Sequence, residues 1–232
     1  MEFRDRHVVV TGGTGALGTA VVAALLARGA TCHVPYIIAA EAENFPHRGH
    51  ERVRLLPTGT LAEEVAVAAV YDGIARLWAS IHLAGGFAMS AFAATDKAAL
   101  MAQLEMNLVS AFLCCRAAVR AMQRAGGGRI VNVAARPALE PRLGAGMIAY
   151  SVSKAGVAAL TQALAQEVAG AGILVNAVAP SILDTPANRR AMPKADYALW
   201  PKVEEVAEAI LFLASPGNAV TRGALVPVYG KS

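Results

Sequence analysis

The sequence predicts an α/β fold: one domain, residues 1–232, built on a doubly wound parallel sheet with helices on both faces. Three observations predict it. Short β-branched runs alternate with longer helical patterns along the chain, without repeat or linker. The first run leads directly into a glycine-rich turn and then a helix, the context that gives such a turn meaning. The third is size: 232 residues, 56% hydrophobic and 16% charged, can bury a large core without metal or disulfide, with little room for a second domain.

Composition also narrows the function. A net charge of +4 with scattered basic residues and no aromatic interleaving argues against a nucleic-acid partner. Cys32, Cys114 and Cys115 show neither C-x-x-C nor His-rich spacing, so no metal is expected, and an odd count without a framework fits a reducing compartment. The first residues lack a signal-peptide layout, and no uninterrupted apolar run reaches the ~18 residues of a membrane span. The expectation is a soluble, cytoplasmic protein acting on a small molecule, without a membrane partner.

Residues 8–10, Val-Val-Val, read as a buried parallel strand. Thr11-Gly12-Gly13-Thr14-Gly15-Ala16-Leu17-Gly18 follows, then a helix over 19–28. Glycine permits the tight turn and lets backbone N–H groups approach a pyrophosphate at the helix N-terminus. No Gly-Lys-Ser/Thr is present, which disfavours a P-loop. A second strand spans 31–34. Just beyond it an acid would accept from the ribose hydroxyls of NAD, whereas an arginine would suit the phosphate of NADP. Tyr36 and its neighbours supply neither, Glu41 and Glu43 come late and Arg48 later still, so NAD versus NADP is undecided.

Residues 39–50 read as a polar loop whose His47 and His50 lack a third metal ligand. A strand at 53–56 and an amphipathic helix over 61–78 precede the fourth strand, which starts at Ile81 and runs through His82 into the turn Ala84-Gly85-Gly86. His82 either faces that turn or is packed. Helices are predicted over 95–105 and 107–124, with Asn107 unusual among apolar and small neighbours and Arg116, Arg120 and Arg124 forming a solvated stripe. Gly126 to Gly128 end that helix. A strand at 129–133, a loop to 149, a helix over 150–169 and a strand at 173–178 follow. The connection over 180–200 is long enough to be a lid. A helix at 203–214 and a strand at 224–228 complete the pattern.

The chemistry centres on Tyr150 and Lys154. Residues four apart share a helical face, so hydroxyl and ammonium can address one point. An ammonium near a phenol is expected to lower the phenol's pKa from about 10, which would make it a usable acid or base.

Together these landmarks resemble the short-chain dehydrogenase/reductase family over essentially the whole chain: Thr11-Gly12…Gly15…Gly18, Ala84-Gly85, Asn107, Tyr150-x-x-x-Lys154 and Asn176…Pro180…Thr185. The resemblance implies a Rossmann-like sheet of about seven strands and a homodimer or homotetramer, with the helices from Asn107 and Tyr150 at the two-fold. It implies NAD(H) or NADP(H) as cofactor, held by Thr11, Gly12, Thr14, Gly15, Ala16, Leu17, Gly18, Tyr36, Ala84, Gly85, Asn107, Tyr150, Lys154, Pro180, Ile182 and Thr185. Tyr150 would be the proton donor or acceptor and Lys154 would hold the nicotinamide ribose. Asn107, third of the catalytic set, would anchor a relay water.

The departures are specific. The family usually places a serine on the loop after strand five, where this chain has Ala135. Loss of one such donor to a developing oxyanion can cost ~10²–10³ in rate. His82-Leu83 replaces an asparagine pair. The dihydropteridine reductase branch is similar in several of these features: Gly12 to Gly18, Ala84 to Phe87, Ala135, Gly146-Met147-Ile148-Ala149-Tyr150, and the lid stretch Leu183 to Trp200. It implies a conjugated imine or carbonyl substrate that delocalises its own charge. The alternative is an NAD(P)-binding regulatory or scaffold protein with little catalysis.

Overall fold

The computed structural model describes residues 2–232. Among these, seven strands form one parallel sheet in the order β3-β2-β1-β4-β5-β6-β7. They are β1 His7–Thr11, β2 Thr31–Tyr36, β3 Val53–Pro57, β4 Leu77–His82, β5 Gly128–Val133, β6 Ile173–Pro180 and β7 Leu225–Val228. The helices are α1 Ala16–Ala27, α2 Ala39–Glu43, α3 Glu64–Tyr71, α4 Lys97–Gln103, α5 Ser110–Ala125, α6 Arg136–Leu139, α7 Ile148–Glu167, α8 Pro186–Ala191 and α9 Val203–Ala214.

The strands are apolar on both faces because both faces are covered. In β1, Val8 and Val10 pack with Val21, Val22 and Leu25 of α1 and Ile210 of α9. Val9 points the other way, into a core with Val67 and Tyr71 of α3 and Leu113, Cys114 and Met122 of α5. The chain winds outward from β1 to β3 and then crosses to β4 on the other side of β1. That reversal opens a crevice at the carboxyl ends of β1 and β4, where ligands of such sheets bind.

The structure differs from the sequence reading at four places. The helix expected over 61–78 is the short α3, and β4 already begins at Leu77. Asp72 and Gly73 stop the helix, and Leu77, Ala79, Ser80 and Ile81 go into the sheet, buried on both faces. The expected loop 39–50 contains α2, and the loop before Tyr150 contains α6 and a 3₁₀ turn, Pro141–Gly144. Finally, the helices expected on either side of residue 106 are one helix, continuous through a π turn, Leu104–Val109. Gly126, left-handed at φ 85°, ends it as expected.

This continuous helix, Lys97–Ala125, is long and apolar enough to cross a bilayer by length and composition. Here it lies against the sheet, with Cys114, Cys115, Ala118 and Met122 inside the core. All three cysteines are buried and free, and burial pushes their thiols up to about 12.

Candidate active site

The crevice has two walls. The first is the turn between β1 and α1. Gly12 is left-handed at φ 65°, and a Cβ there would stand 2.7 Å from the Ala84 nitrogen. A Cβ on Gly18 would fall 2.1 Å from the Gly12 carbonyl oxygen. Only glycine allows this closure. Gly15 caps α1 without a side chain, so the first N–H groups of that helix have no intrahelical or side-chain partner. A helix N-terminus of this kind, fronted by bare backbone, fits a pyrophosphate.

Side chains in this wall are mostly committed to the fold. The Thr11 hydroxyl is buried and accepts from the Ala84 N–H at 3.2 Å, while its carbonyl accepts from Leu83 N–H at 3.1 Å. Leu17 packs into the core below α1, and Ala16 is exposed. Thr14 donates to Glu41 at 2.8 Å. Tyr36 ends β2, half-buried, with its carbonyl accepting from Thr58 N–H.

The second wall joins the end of β4, the π turn and α7. Asn107 is buried on the π turn, a helical defect that recurs at functional sites. Its amide pairs with the backbone of Gly86, accepting from the N–H and donating to the carbonyl, each at 3.0 Å. The same NH₂ group lies 3.1 Å from Ser153 Oγ and 3.3 Å from Gln103 Oε1. Ser153 in turn donates to the Tyr150 carbonyl at 2.7 Å. Asn107 therefore sets the turn after β4 against the first turns of α7, and its NH₂ group is used in doing so. One lone pair of its oxygen is left, on the side of Gly85, where an added Cβ would meet it at 2.5 Å.

Lys154 is buried one turn beyond Tyr150 and donates to the Val133 carbonyl at 2.8 Å, at the end of β5. A Cβ on Gly85 would stand 3.4 Å from its nitrogen, so Gly85, Asn107 and Lys154 meet at one point. The half-buried Tyr150 ring packs edge-on against Phe87, with centroids 5.0 Å apart. Among the described residues its hydroxyl makes no hydrogen bond, and none joins it to Lys154.

The expected lowering of the Tyr150 pKa is corrected here. Burial pushes the phenol up to about 12 and the Lys154 ammonium down to about 8. Both shifts come from desolvation, which disfavours the charged form of each, and the two groups do not offset it for one another. Tyr150 is thus held as the neutral phenol, the proton-giving form.

Ala135 follows β5 in extended conformation, buried, with only a methyl group to offer. Arg136 beside it is paired to Glu140 at 3.1 Å and stacks on Tyr229. His82 is packed rather than turned into the crevice. Its Nδ1 donates to Asn132 Oδ1 at 2.8 Å, and its Nε2 accepts from Ser80, which accepts from Tyr71. The NH₂ of Asn132 continues to Thr161 of α7 at 2.9 Å. Burial pushes His82 down to about 4.

The third edge is the segment after β6. Pro180 ends the strand and Ile182 is partly exposed. Thr185 is buried and caps α8, accepting from Asn188 N–H at 3.2 Å. The expected lid is a folded piece: Arg189 holds Asp184 through two bonds of 2.6 and 2.7 Å and lies over the Tyr197 ring, which packs at a tilt against Trp200. Spacing does not single out Ser153, Gln103 or the Val133 carbonyl, and it gives Gly86 only as part of the turn after the fourth strand. Their parts are hydrogen-bond partnerships that no spacing announces.

The glycine turn and the point beneath Gly85 fit a nicotinamide dinucleotide, since the backbone is bare where a pyrophosphate would lie and Lys154 stands where β4, β5 and α7 converge. Among the described residues no cluster of metal-ligating side chains occurs.

Comparison with known proteins agrees. The short chain dehydrogenase family model matches residues 6–196. The chain is 35% identical to cis-4-hydroxycyclohexanecarboxylate dehydrogenase of Sinomonas cyclohexanicum, over 98% of this chain and 96% of that one. It is also 35% identical to galactitol 2-dehydrogenase of Rhizobium johnstonii, over 98% and 95%. Among solved structures, a short-chain type dehydrogenase/reductase from Mycobacterium ulcerans superposes with a TM-score of 0.89 at 26% identity, covering 100% of this chain and 90% of that one. ElxO with NADP bound has the same fold, with a TM-score of 0.88 at 22% identity and 97% of each chain covered.

Proposed function

The chain belongs to the short-chain dehydrogenase family and is an NAD(P)-dependent oxidoreductase, and on that premise we propose that Tyr150 gives or takes the proton in a carbonyl- or imine-level reduction. The nicotinamide group supplies or accepts hydride when bound. What the chain contributes is placement and a proton. Lys154, one turn along the same face, holds the nicotinamide ribose with the donors not used on Val133. Asn107 fixes the distance between Gly86 and α7, so that Tyr150 and the turn after β4 hold their spacing.

The observation that carries the substrate class is Ala135. With no hydroxyl there, a simple ketone lacks a donor at its developing oxyanion, whereas a conjugated imine or quinonoid substrate spreads that charge over its own ring. A quinonoid dihydropterin is the model for this class, as the dihydropteridine reductase resemblance implies. A second reading, interconversion of a secondary alcohol and its ketone, is favoured by the two relatives at 35% identity, both named as dehydrogenases of hydroxylated compounds.

The test is NADH or NADPH oxidation with a quinonoid dihydropterin and, in parallel, a cyclic ketone. Tyr150→Phe is expected to lower turnover by at least about 100-fold while nucleotide binding stays within about twofold. Unchanged turnover removes Tyr150 from the reaction. Tight nucleotide binding with no turnover on either substrate favours the regulatory protein.

We further propose a homodimer or homotetramer built on α5 and α7. Phe112 and Val152 are each 49% exposed on those helices, apolar area that a second copy would cover. Sedimentation at micromolar concentration should give at least twice the 24.0 kDa chain mass. A monomer overturns it.

A further inference from the structure

The residue that reads the 2′ end of the cofactor was not identifiable from spacing. In a sheet of this type the adenosine ribose lies past the end of the strand beside β1, here β2, and an acid there accepts from its hydroxyls. At the end of β2 stands Tyr36, followed by Ile37 and Ile38, which are 61% and 55% exposed and carry no charge. The charge arrives by another route. Helix α2 starts at Ala39, and Glu41 in its first turn reaches back to the glycine turn, where its Oε2 accepts from Thr14 Oγ1 at 2.8 Å. One carboxylate oxygen is used by Thr14 and the other is left exposed at the mouth of the turn.

The cations that follow in sequence are engaged elsewhere. Arg48 donates to the carbonyl of Glu43, the last residue of α2. Arg52 donates at 3.0 Å to the Gly29 carbonyl, beyond the far end of α1. Arg54 donates to the carbonyls of Glu51 and Val53. Nothing in the glycine turn is basic. The charged side chain of this segment that is bonded to the glycine turn is therefore an anion, Glu41, while these three arginines are turned to backbone carbonyls away from it.

We propose that Glu41, held by Thr14, is the specificity-determining residue for the cofactor: it accepts from the ribose 2′-hydroxyl of NAD(H) and repels the 2′-phosphate of NADP(H). This rests on the chain using a nicotinamide dinucleotide at the glycine turn. A carboxylate against a phosphate dianion is an unscreened repulsion only at short range, so the discrimination weakens as ionic strength rises.

The experiment is a binding titration of the full chain with NADH and with NADPH, followed by nicotinamide fluorescence at low and high salt. NADH should bind at least about tenfold more tightly, about 1.4 kcal/mol. Glu41→Gln keeps an acceptor for Thr14 but loses the charge. It should bring the ratio to within about threefold, mainly by tightening NADPH. Thr14→Val, which frees the carboxylate, should narrow the ratio by a smaller factor, and Thr14→Ser should restore it. The three substitutions alter one surface hydrogen bond between an exposed Glu41 and a half-buried Thr14, so melting temperatures should match the parent chain. If both nucleotides bind with equal affinity, or Glu41→Gln leaves the ratio unchanged, Glu41 is only a tie between α2 and the turn and the inference is overturned while dinucleotide binding stands. If neither binds, the premise falls and the inference with it.

Discussion

The two walls of the crevice are built on opposite plans. The wall from β1 to α1 exposes backbone and commits its side chains to the fold: Gly12 and Gly18 close the turn, and Thr11 is tied to Ala84. The wall from β4 to α7 does the reverse, bringing a buried asparagine, serine and lysine to one point and using backbone carbonyls to hold them. A phosphate needs donors and room, which bare backbone supplies. A proton transfer needs a side chain with a tuned environment, which only burial supplies. The difference predicts that the first wall fails by steric clash and the second by charge.

The largest effect should come from breaking the first wall. In Gly18→Val the new Cβ would collide with the Gly12 carbonyl oxygen, a backbone atom that cannot swing aside. We expect about 3 kcal/mol or more of destabilisation, and a loss of NADH and NADPH binding by more than about 100-fold, since the turn can no longer close. Denaturant unfolding and fluorescence titration measure the two. Retained binding would mean that the turn is not where the nucleotide sits.

Lys154→Met sharpens the contrast, because here function and stability should separate. The ammonium is pushed down to about 8 by burial, a burden of roughly 3 kcal/mol at pH 7 from the relation of pKa shift to free energy. Losing the bond to Val133 costs about 1–1.5 kcal/mol. The variant should therefore unfold about 1–2 kcal/mol later at pH 7, with turnover down at least about 100-fold. The sign can be checked by pH. Below about 8 both folded and unfolded forms carry the charge and the burden is complete. As pH rises from there through the unfolded value of about 10.4, the wild-type chain gains on the variant. A variant less stable than wild type at pH 7 would mean that the Val133 bond outweighs burial.

The smallest effect at neutral pH should be that of His82→Gln, since His82 is packed behind the second wall rather than turned into the crevice. His82 is buried neutral and pushed down to about 4. Its contribution is complete above the unfolded value of about 6.5 and is lost as pH falls from there through the folded value. Wild type should lose on the order of 3 kcal/mol over that window from this group, and the variant should lose less, by urea midpoint at pH 7 and pH 4.5. His33, also pushed down to about 4 by burial beside His7 and Arg54, keeps part of the acid limb in both proteins. An unchanged limb would show that the Ser80–His82–Asn132 chain opens before His82 protonates.

What was legible in the sequence follows from the same contrast. The glycine turn could be read because its residues are required by sterics one position at a time, and the Tyr150–Lys154 pair because helical spacing implies a shared face. The state of that pair was not legible. Spacing says that two groups can meet, but Lys154 turns to Val133 and Tyr150 to Phe87, and burial rather than attraction sets their pKa values. Strand β4 starts earlier than the pattern predicts because residues 66–78 are apolar apart from Asp72, Gly73 and Arg76. In such a stretch period 2 and period 3.6 look alike, and only Asp72 and Gly73 mark the break. Glu41 comes too late in the chain for spacing to single it out, since its approach to Thr14 depends on α2, where the polar composition predicts a loop.

The π turn at Leu104–Val109 has one more consequence. An extra residue in a helix is a phase slip, so α4 and α5 are set at different angles about a nearly common axis. Removing one residue between 104 and 109 would restore an even screw and rotate α4 by about 100° against α5. One of the two would then lose its footing: either the Cys114–Met122 ridge leaves the sheet, or Asn107 swings away from Gly86. The irregularity lets a single rod serve two seats that no uniform winding could satisfy together.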